Sequence, residues 1–268
     1  MKIDPTSAYS MPLIGGPLWD QKNPPKSVYS TIEVLMLQYE TDPAAIPPLL
    51  PPSYKPGKSP SVTIMFIDSN GVDFMAGGGY RFASVAVAAR FDGEAGHMEG
   101  DYVLIMPEND TRPIIMGREF LGMPKFFADI SSIRTLDNGH LRCEASLWGH
   151  PLFGLDIAPP FKKQNPLVVR AAAAQVNKTP AFGYKYIASL NGPPDADYPT
   201  VMWSETEIER LWFGATGEFH IGNAREQDIG LLAPAFEVLR SLPARKVLRA
   251  AHLFGSMALL TAKNGRIR

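Results

Sequence analysis

The chain of 268 residues carries 26 lysine and arginine residues against 27 aspartate and glutamate residues, so its formal charge of −1 provides no overall field for binding a nucleic acid backbone. Apolar residues make up 45% of the chain, enough for a core that needs no metal or disulfide staple. A single cysteine excludes an intramolecular disulfide. No apolar run approaches the roughly 20 residues of a membrane-spanning helix, and the N-terminal residues lack the apolar core of a signal peptide. We therefore expect a cytoplasmic protein without membrane or nucleic acid partners.

Alternation of apolar and polar residues predicts a mainly antiparallel β-structure. In the first predicted strand, Ile32, Val34 and Met36 share one face. The predicted strands, in chain order, are Thr31–Tyr39, Val62–Ile67, Tyr80–Phe91, the apolar run Tyr102–Met106, Leu141–Leu147, Phe182–Ser189, Glu205–Phe213 and Glu218–Ile221.

The 25 prolines and 23 glycines predict many turns and short elements. Residues 1–30 are predicted to be an extended arm of a single domain that covers residues 1–268. Two short helices are expected, one from Asp42 to Ile46 and one from Ala235 to Ser241. Thr216-Gly217 is typical of a hairpin turn. Residues 245–262 fit either a helix or a strand, because periodicity alone does not separate the two.

Several cofactor and metal sites are disfavoured by the spacing of the residues. The histidines are scattered, with none three or four residues from another, so no metal site is expected. Gly77-Gly78-Gly79 lacks the pattern of a phosphate-binding loop and is predicted to be a turn or bulge. Cys143 lies on the apolar side of its predicted strand and is typical of a buried small hydrophobe.

The informative stretch runs from Gly117 to Asp129, with the sequence GREFLGMPKFFAD. Its lysine, Lys125, follows Met123 and Pro124 and precedes Phe126 and Phe127. Apolar flanks disfavour the charged ammonium, and an uncharged amine is the form that attacks a carbonyl to make a Schiff base. The alternative is a lysine at the edge of an apolar cluster whose ammonium reaches water.

This stretch resembles the acetoacetate decarboxylase family, whose signature is Gly-Arg-Glu followed after a short spacer by Pro-Lys. Further segments resemble the same family from about residue 30 onwards: Tyr39-Glu40-Thr41-Asp42, Gly100-Asp101-Tyr102, Trp212–Gly217, Ala233-Pro234 and His252-Leu253. The resemblance implies a closed or nearly closed antiparallel β-barrel with a few short peripheral helices, an α+β fold. It also implies a homo-oligomer without cofactor, and it favours a strand over residues 245–262.

The resemblance also implies roles for individual residues. Lys125 would be the Schiff-base lysine, and Glu119 would line its cavity as a proton shuttle. Tyr80 would donate a proton or a hydrogen bond to the substrate, or would simply be an aromatic residue of the barrel wall. Arg118 would pair with a substrate carboxylate or form an ion pair with Glu119 at a helix start. Met123 and Phe126 are predicted to contact the substrate.

Four positions depart from the family pattern. A second lysine usually follows the catalytic one, and Phe126 stands there. Family carboxylates fall on Tyr80 and near Thr63 or Met65, and a family arginine falls near Ile32. Three hypotheses follow, of which these replacements strengthen the second, while the retained Lys125 weighs against the third. The first is a Schiff-base lyase that decarboxylates a β-keto acid. The second is a Schiff-base aldolase-dehydratase that acts on pyruvate and an aldehyde. The third is a non-catalytic barrel that binds a small apolar carbonyl compound.

Overall fold

The computed structural model describes residues 3–10, 16–94 and 96–268. The described chain is mostly β-structure with few helices. The strands are β1 (Ser7–Ala8), β2 (Trp19–Asp20), β3 (Ser27–Glu40), β4 (Tyr54–Pro56), β5 (Ser61–Val72), β6 (Tyr80–Gly93), β7 (Gly96–Glu108), β8 (Lys125–Phe127), β9 (Asp129–Ile130), β10 (Arg134–Thr135), β11 (Leu141–Leu147), β12 (His150–Ala158), β13 (Lys162–Lys163), β14 (Ala181–Ile187), β15 (Ala196–Met202), β16 (Ser204–Phe213), β17 (Thr216–Ile221), β18 (Lys246–Leu259) and β19 (Gly265–Arg266). The α-helices are α1 (Thr111–Leu121), α2 (Pro166–Val176), α3 (Glu226–Ile229) and α4 (Ala233–Arg240), and single turns of 3-10 helix cover Pro43–Ala45, Pro47–Leu49, Asp73–Met75, Gly230–Leu232 and Thr261–Lys263.

Two sheets carry most of the described chain. The larger has twelve strands in the order β13-β16-β18-β3-β5-β6-β7-β14-β15-β19, with β4 on β6 and β8 on β7. Its pairs are antiparallel except for β7 with β8 and β7 with β14. The smaller has five strands in the order β10-β11-β12-β17, with β9 on β11.

The large sheet is buried on both faces along its central strands. One face packs against the small sheet, where Leu35 and Val85 share a core with Cys143 and Leu155. We call this the inter-sheet core. The opposite face, which we call the site face, carries a second cluster that includes Ile32, Val34, Ile67 and Phe82 and is covered in part by Val168 and Val169 of α2.

Most sequence-predicted strands are confirmed, and residues 246–259 form the single strand β18. The predicted turn at Gly77–Gly79 is also present, since Gly78 N donates to Met75 O over 3.1 Å. Three features differ. Thr216-Gly217 does not join two paired strands, because β16 pairs with β18 in the large sheet and β17 pairs with β12 in the small one. Strand β3 begins at Ser27, inside the predicted arm, of which residues 1–2 and 11–15 lie outside the described residues. The described strands of the large sheet form an open path between β13 and β19, so barrel closure is not confirmed.

Asp101 on β7 has alanines opposite it on both neighbouring strands, Ala88 in β6 and Ala181 in β14. Burial raises the pKa of Asp101 to about 6. Because the folded state holds a proton that the unfolded chain loses near pH 4, stability is expected to fall as the pH rises from about 4 through about 6. Asp101→Asn is expected to remove this part of the pH dependence in urea titrations. If the free energy of unfolding changed equally with pH in the wild type and in Asp101→Asn over this pH range, the expectation would be contradicted.

Candidate active site

Lys125 is positioned by the short parallel pair of β7 and β8. In this register Lys125 lies opposite Met106, and Phe127 lies opposite Glu108. Glu108 in turn lies opposite Phe82 of β6, whose side chain belongs to the cluster on the site face. Since alternate residues of a strand point to the same face, the side chains of Lys125 and Glu108 both emerge on the site face.

The two charged side chains meet in a nearly closed interior. The Nζ atom of Lys125 lies 2.8 Å from Oε1 of Glu108, and their side chains are 9% and 0% exposed. At this distance the two groups form a buried ion pair. Burial raises the pKa of Glu108, while the neighbouring Lys125 ammonium opposes that rise. Glu108 is therefore a buried carboxylate with an increased tendency to hold a proton.

Helix α1 fixes the lysine from the other side and explains the first two residues of the Gly-Arg-Glu motif. Nζ of Lys125 donates to the carbonyl oxygen of Pro113 over 3.2 Å. Arg118 Nη1 donates to the carbonyl oxygen of Lys125 over 2.7 Å, which ties the helix to β8. A Cβ atom on Gly117 would lie only 2.4 Å from Cε of Lys125. The lysine side chain thus runs across the helix backbone at a position that only glycine leaves open.

Two buried tyrosines lie on the same face of the sheet. Their hydroxyl oxygens, on Tyr29 and Tyr80, are 3.0 Å apart and share one hydrogen bond. Burial raises the pKa of both phenols, and the charge of Glu108 adds to the rise, so both stay protonated at neutral pH. Because one hydroxyl donates to the other, the pair keeps one O–H with which to bind a substrate oxygen.

Three of the four positions that depart from the family pattern lie on the site face. Tyr80 lies opposite Ser69 of β5, which lies opposite Ile32 of β3. Met65 packs against the same cluster as Ile32 and Tyr80. Thr63 lies two residues before Met65 on β5 and receives a hydrogen bond of 3.4 Å from the Gln38 amide. At these positions the site face therefore carries apolar and hydroxyl-bearing side chains.

Other sequence-predicted site residues lie elsewhere. Phe126 alternates with Lys125 on β8 and packs against the inter-sheet core, on the face away from the amine. Met123 is 1% exposed and packs with Met106, beside the lysine strand.

Arg118 and Glu119 lie near the C-terminal end of α1, not at a helix start. Glu119 follows Gly117 by two residues, which is about 200° around the helix from the position that contacts Lys125. The backbone carbonyl of Glu119 accepts a hydrogen bond from Nζ of Lys185. The proton-shuttle role of Glu119 stays a prediction.

Sequence reasoning missed Glu108 because the predicted apolar run ended at Met106. The signal was a lone glutamate two residues after the predicted apolar run, a position that equally suits a residue returning to the surface. Across the described ranges, no group of three or more His, Cys, Asp and Glu side chains is arranged to hold a metal ion. None of the helices in those ranges is long and apolar enough to cross a membrane.

Comparison with known proteins agrees with the motif. The family model for acetoacetate decarboxylase matches residues 10–263. Acetoacetate decarboxylase 1 of Bradyrhizobium diazoefficiens is 26% identical over 276 residues, covering 97% of this chain and 94% of the relative. The crystal structure of acetoacetate decarboxylase from Legionella pneumophila shares the fold with a TM-score of 0.74 at 21% identity, covering 100% of this chain and 98% of that one. The enduracididine biosynthesis enzyme MppR, complexed with the condensation product of pyruvate and imidazole 4-carboxaldehyde, has a TM-score of 0.66 at 19% identity and 97% coverage of both chains.

Proposed function

Because the chain belongs to the acetoacetate decarboxylase family, we propose that it is a cofactor-free lyase in which Lys125 forms a Schiff base with a β-keto acid and releases carbon dioxide. The observation that carries the proposal is the placement of Lys125. Its amine is nearly buried, lies within 2.8 Å of a carboxylate, and is held against α1 by a motif that leaves room for its side chain. Desolvation is one of the ways in which a protein favours the free amine of a nucleophilic lysine.

The proposed reaction uses the imine as an electron sink. Lys125 attacks the ketone carbon, and loss of water gives a protonated imine. The bond to the carboxylate carbon then breaks, and its electron pair moves toward the imine nitrogen, giving an enamine and carbon dioxide. Protonation of the enamine carbon and hydrolysis of the imine release the ketone and restore the lysine. The free O–H of the Tyr29–Tyr80 pair is the proposed hydrogen-bond donor to the substrate.

The second candidate is a Schiff-base aldolase-dehydratase that joins pyruvate and an aldehyde. A carboxylate beside the imine nitrogen favours it, because an enamine forms from a pyruvate imine only when a base removes a proton from the adjacent carbon. The fold shared with MppR, which was captured with a pyruvate condensation product, is consistent with it. A non-catalytic protein that binds a carbonyl compound would use the same apolar face without turnover.

We also propose that the protein is a cytoplasmic homo-oligomer.

The test incubates the protein with borohydride and a keto acid and then weighs the intact chain. The panel contains acetoacetate, longer-chain and aryl β-keto acids, and pyruvate with and without an aldehyde. A covalent adduct together with carbon dioxide release is expected for β-keto acids. Ile32 and Tyr80 offer apolar side-chain surface where the family pattern has charged residues. This surface favours bulkier β-keto acids over acetoacetate, since buried apolar surface contributes about 25 cal/mol per Å².

The other outcomes separate the alternatives. An adduct with pyruvate and consumption of the aldehyde, without carbon dioxide, would replace the decarboxylase by the aldolase-dehydratase. The absence of any adduct across the panel would overturn both enzyme proposals. A value of kcat/KM for acetoacetate at least about tenfold above all other substrates, or about 1.4 kcal/mol in transition-state binding, would contradict the preference for bulk.

A further inference from the structure

We propose that Glu108 is a catalytic residue that takes the proton from the Lys125 ammonium and returns it to the hydroxyl group that leaves as water when the Schiff base forms. This inference rests on the proposed Schiff-base function. Its starting point is geometric, because Oε1 of Glu108 lies 2.8 Å from the reacting nitrogen, closer than the carbonyl oxygen of Pro113 at 3.2 Å. A general base must lie within hydrogen-bond reach of the proton it removes, and Glu108 does.

The proton and electron balance closes with these two side chains and the substrate. The ammonium of Lys125 first gives a proton to the carboxylate of Glu108, leaving a free amine and a carboxylic acid. The nitrogen lone pair then forms a bond to the ketone carbon, and the carbonyl π pair moves to oxygen, which takes the second N–H proton. The nitrogen next expels that hydroxyl group, which receives the proton held by Glu108 and leaves as water. The products are an iminium ion and an ionised Glu108.

The same pairing keeps the interior close to electrical neutrality. Before the reaction an ammonium faces a carboxylate, and after it an iminium faces the same carboxylate. An unpaired charge in such a buried place would be strongly disfavoured. Glu108 therefore serves as the counter-ion of the cation at both ends of the step.

The groups around Glu108 support a proton-carrying role. Its carboxyl is fully buried, and burial raises its pKa, which lowers the cost of moving a proton onto it. The nearby carboxylate, Asp110, adds to that rise but is itself held by Arg112 through hydrogen bonds of 2.9 and 2.8 Å. Tyr29 and Tyr80, the remaining titratable neighbours, are uncharged phenols. Lys125 is thus the cation that Glu108 faces, and the pair can exchange a proton directly.

The test measures the rate of imine trapping by borohydride in a rapid-quench experiment with the β-keto acid that the wild type traps best. Glu108→Gln keeps the shape of the side chain and removes its ability to accept the proton. We expect trapping to be slower by about 10²- to 10⁴-fold, the usual size of a general acid–base contribution. The matched control is Glu237→Gln on the exposed face of α4, where the glutamate pairs with Arg240 at the surface, and it is expected to trap at the wild-type rate.

A second variant tests the same idea independently of the first. Glu108→Asp keeps the carboxylate but withdraws it by one methylene from the nitrogen, so its trapping rate is expected between those of the wild type and Glu108→Gln. Glu108→Gln trapping within threefold of the wild type, or as fast as Glu108→Asp, would overturn the role of Glu108. Circular dichroism and a urea titration verify that each variant is folded.

The two proposals fail in distinguishable ways. A wild-type protein that never forms an adduct removes the Schiff-base function and this inference together. A wild-type protein that traps normally, while Glu108→Gln also traps normally, keeps the Schiff base and removes only Glu108 from the mechanism.

Discussion

Replacing Lys125 by alanine is expected to abolish imine trapping and to lower kcat by at least about 10⁴-fold, since the covalent route is lost and enzymes accelerate their reactions by at least about 10⁶-fold. The amine of Lys125 lies beside Glu108 on the site face. Intact-mass measurement after borohydride treatment checks the adduct, and carbon dioxide release checks the turnover. The exposed Lys55, paired with Asp92, offers a control in Lys55→Ala, which is expected to trap normally.

The alanine variant needs a partner experiment because it leaves Glu108 buried and unpaired. Removal of one member of a buried ion pair typically destabilises a protein by about 3–5 kcal/mol, whereas replacement of both members by uncharged groups is often neutral. The double variant Lys125→Met with Glu108→Gln is therefore expected to unfold at a higher urea concentration than Lys125→Ala and still to form no adduct. Adduct formation by either variant on another lysine would show that Lys125 is not the nucleophile.

The sequence was sufficient to single out Lys125 but not its partner. A short motif that includes Gly117, Pro124 and Lys125 is local, so it can be read directly from the chain. Glu108 lies 17 residues before the lysine, and the two meet only because α1 folds back and β8 pairs with β7 in parallel. Nothing in the local pattern specifies a parallel pair of three residues, so the carboxylate beside the amine required the structure.

Helix α1 was missed for a related reason. Pro113 and Gly117 lie within its 11 residues, and both residue types are typical of turns. Pro113 is tolerated because it lies in the first turn, where its missing N–H leaves no intrahelical hydrogen bond unmade. Asp110 caps that turn by accepting a hydrogen bond of 2.9 Å from Arg112 N. The expectation that Arg118 and Glu119 begin a helix therefore failed, since the helix starts seven residues before Arg118.

The strands also show that a local sequence pattern does not identify distant partners. Alternation in β3 correctly placed Ile32 and Val34 on one face of the large sheet, and the structure places the intervening Leu35 and Leu37 on the other. Both sets are apolar, because the sheet is covered on both faces. The pattern therefore locates the strand but does not identify its neighbours. The pairing of β3 with β18, more than 200 residues away, is fixed by tertiary packing.

Gly117→Ala is expected to reduce imine trapping by about 10²-fold or more, although it adds only one methyl group. Its Cβ would lie 2.4 Å from Cε and 2.8 Å from Nζ of Lys125, so the lysine side chain must move away from Glu108. A displacement of about 1 Å in a reacting group can cost about 10²-fold in rate. The loss is expected in the trapping rate, and Glu108 is expected to lose its close contact with the amine.

Because of helix propensity, this substitution is expected to affect stability and imine trapping differently. Alanine is more favourable than glycine in a helix interior by about 1 kcal/mol, so α1 itself gains from the change. A urea titration is therefore expected to show a smaller loss of stability than other buried overpacking changes, which cost about 1–3 kcal/mol, while trapping is severely impaired. Ile115→Ala on the exposed side of α1 is the control, and normal trapping is expected for it. If Gly117→Ala trapped substrate within threefold of the wild-type rate, the contact between Lys125 and the helix backbone would not be what positions the amine.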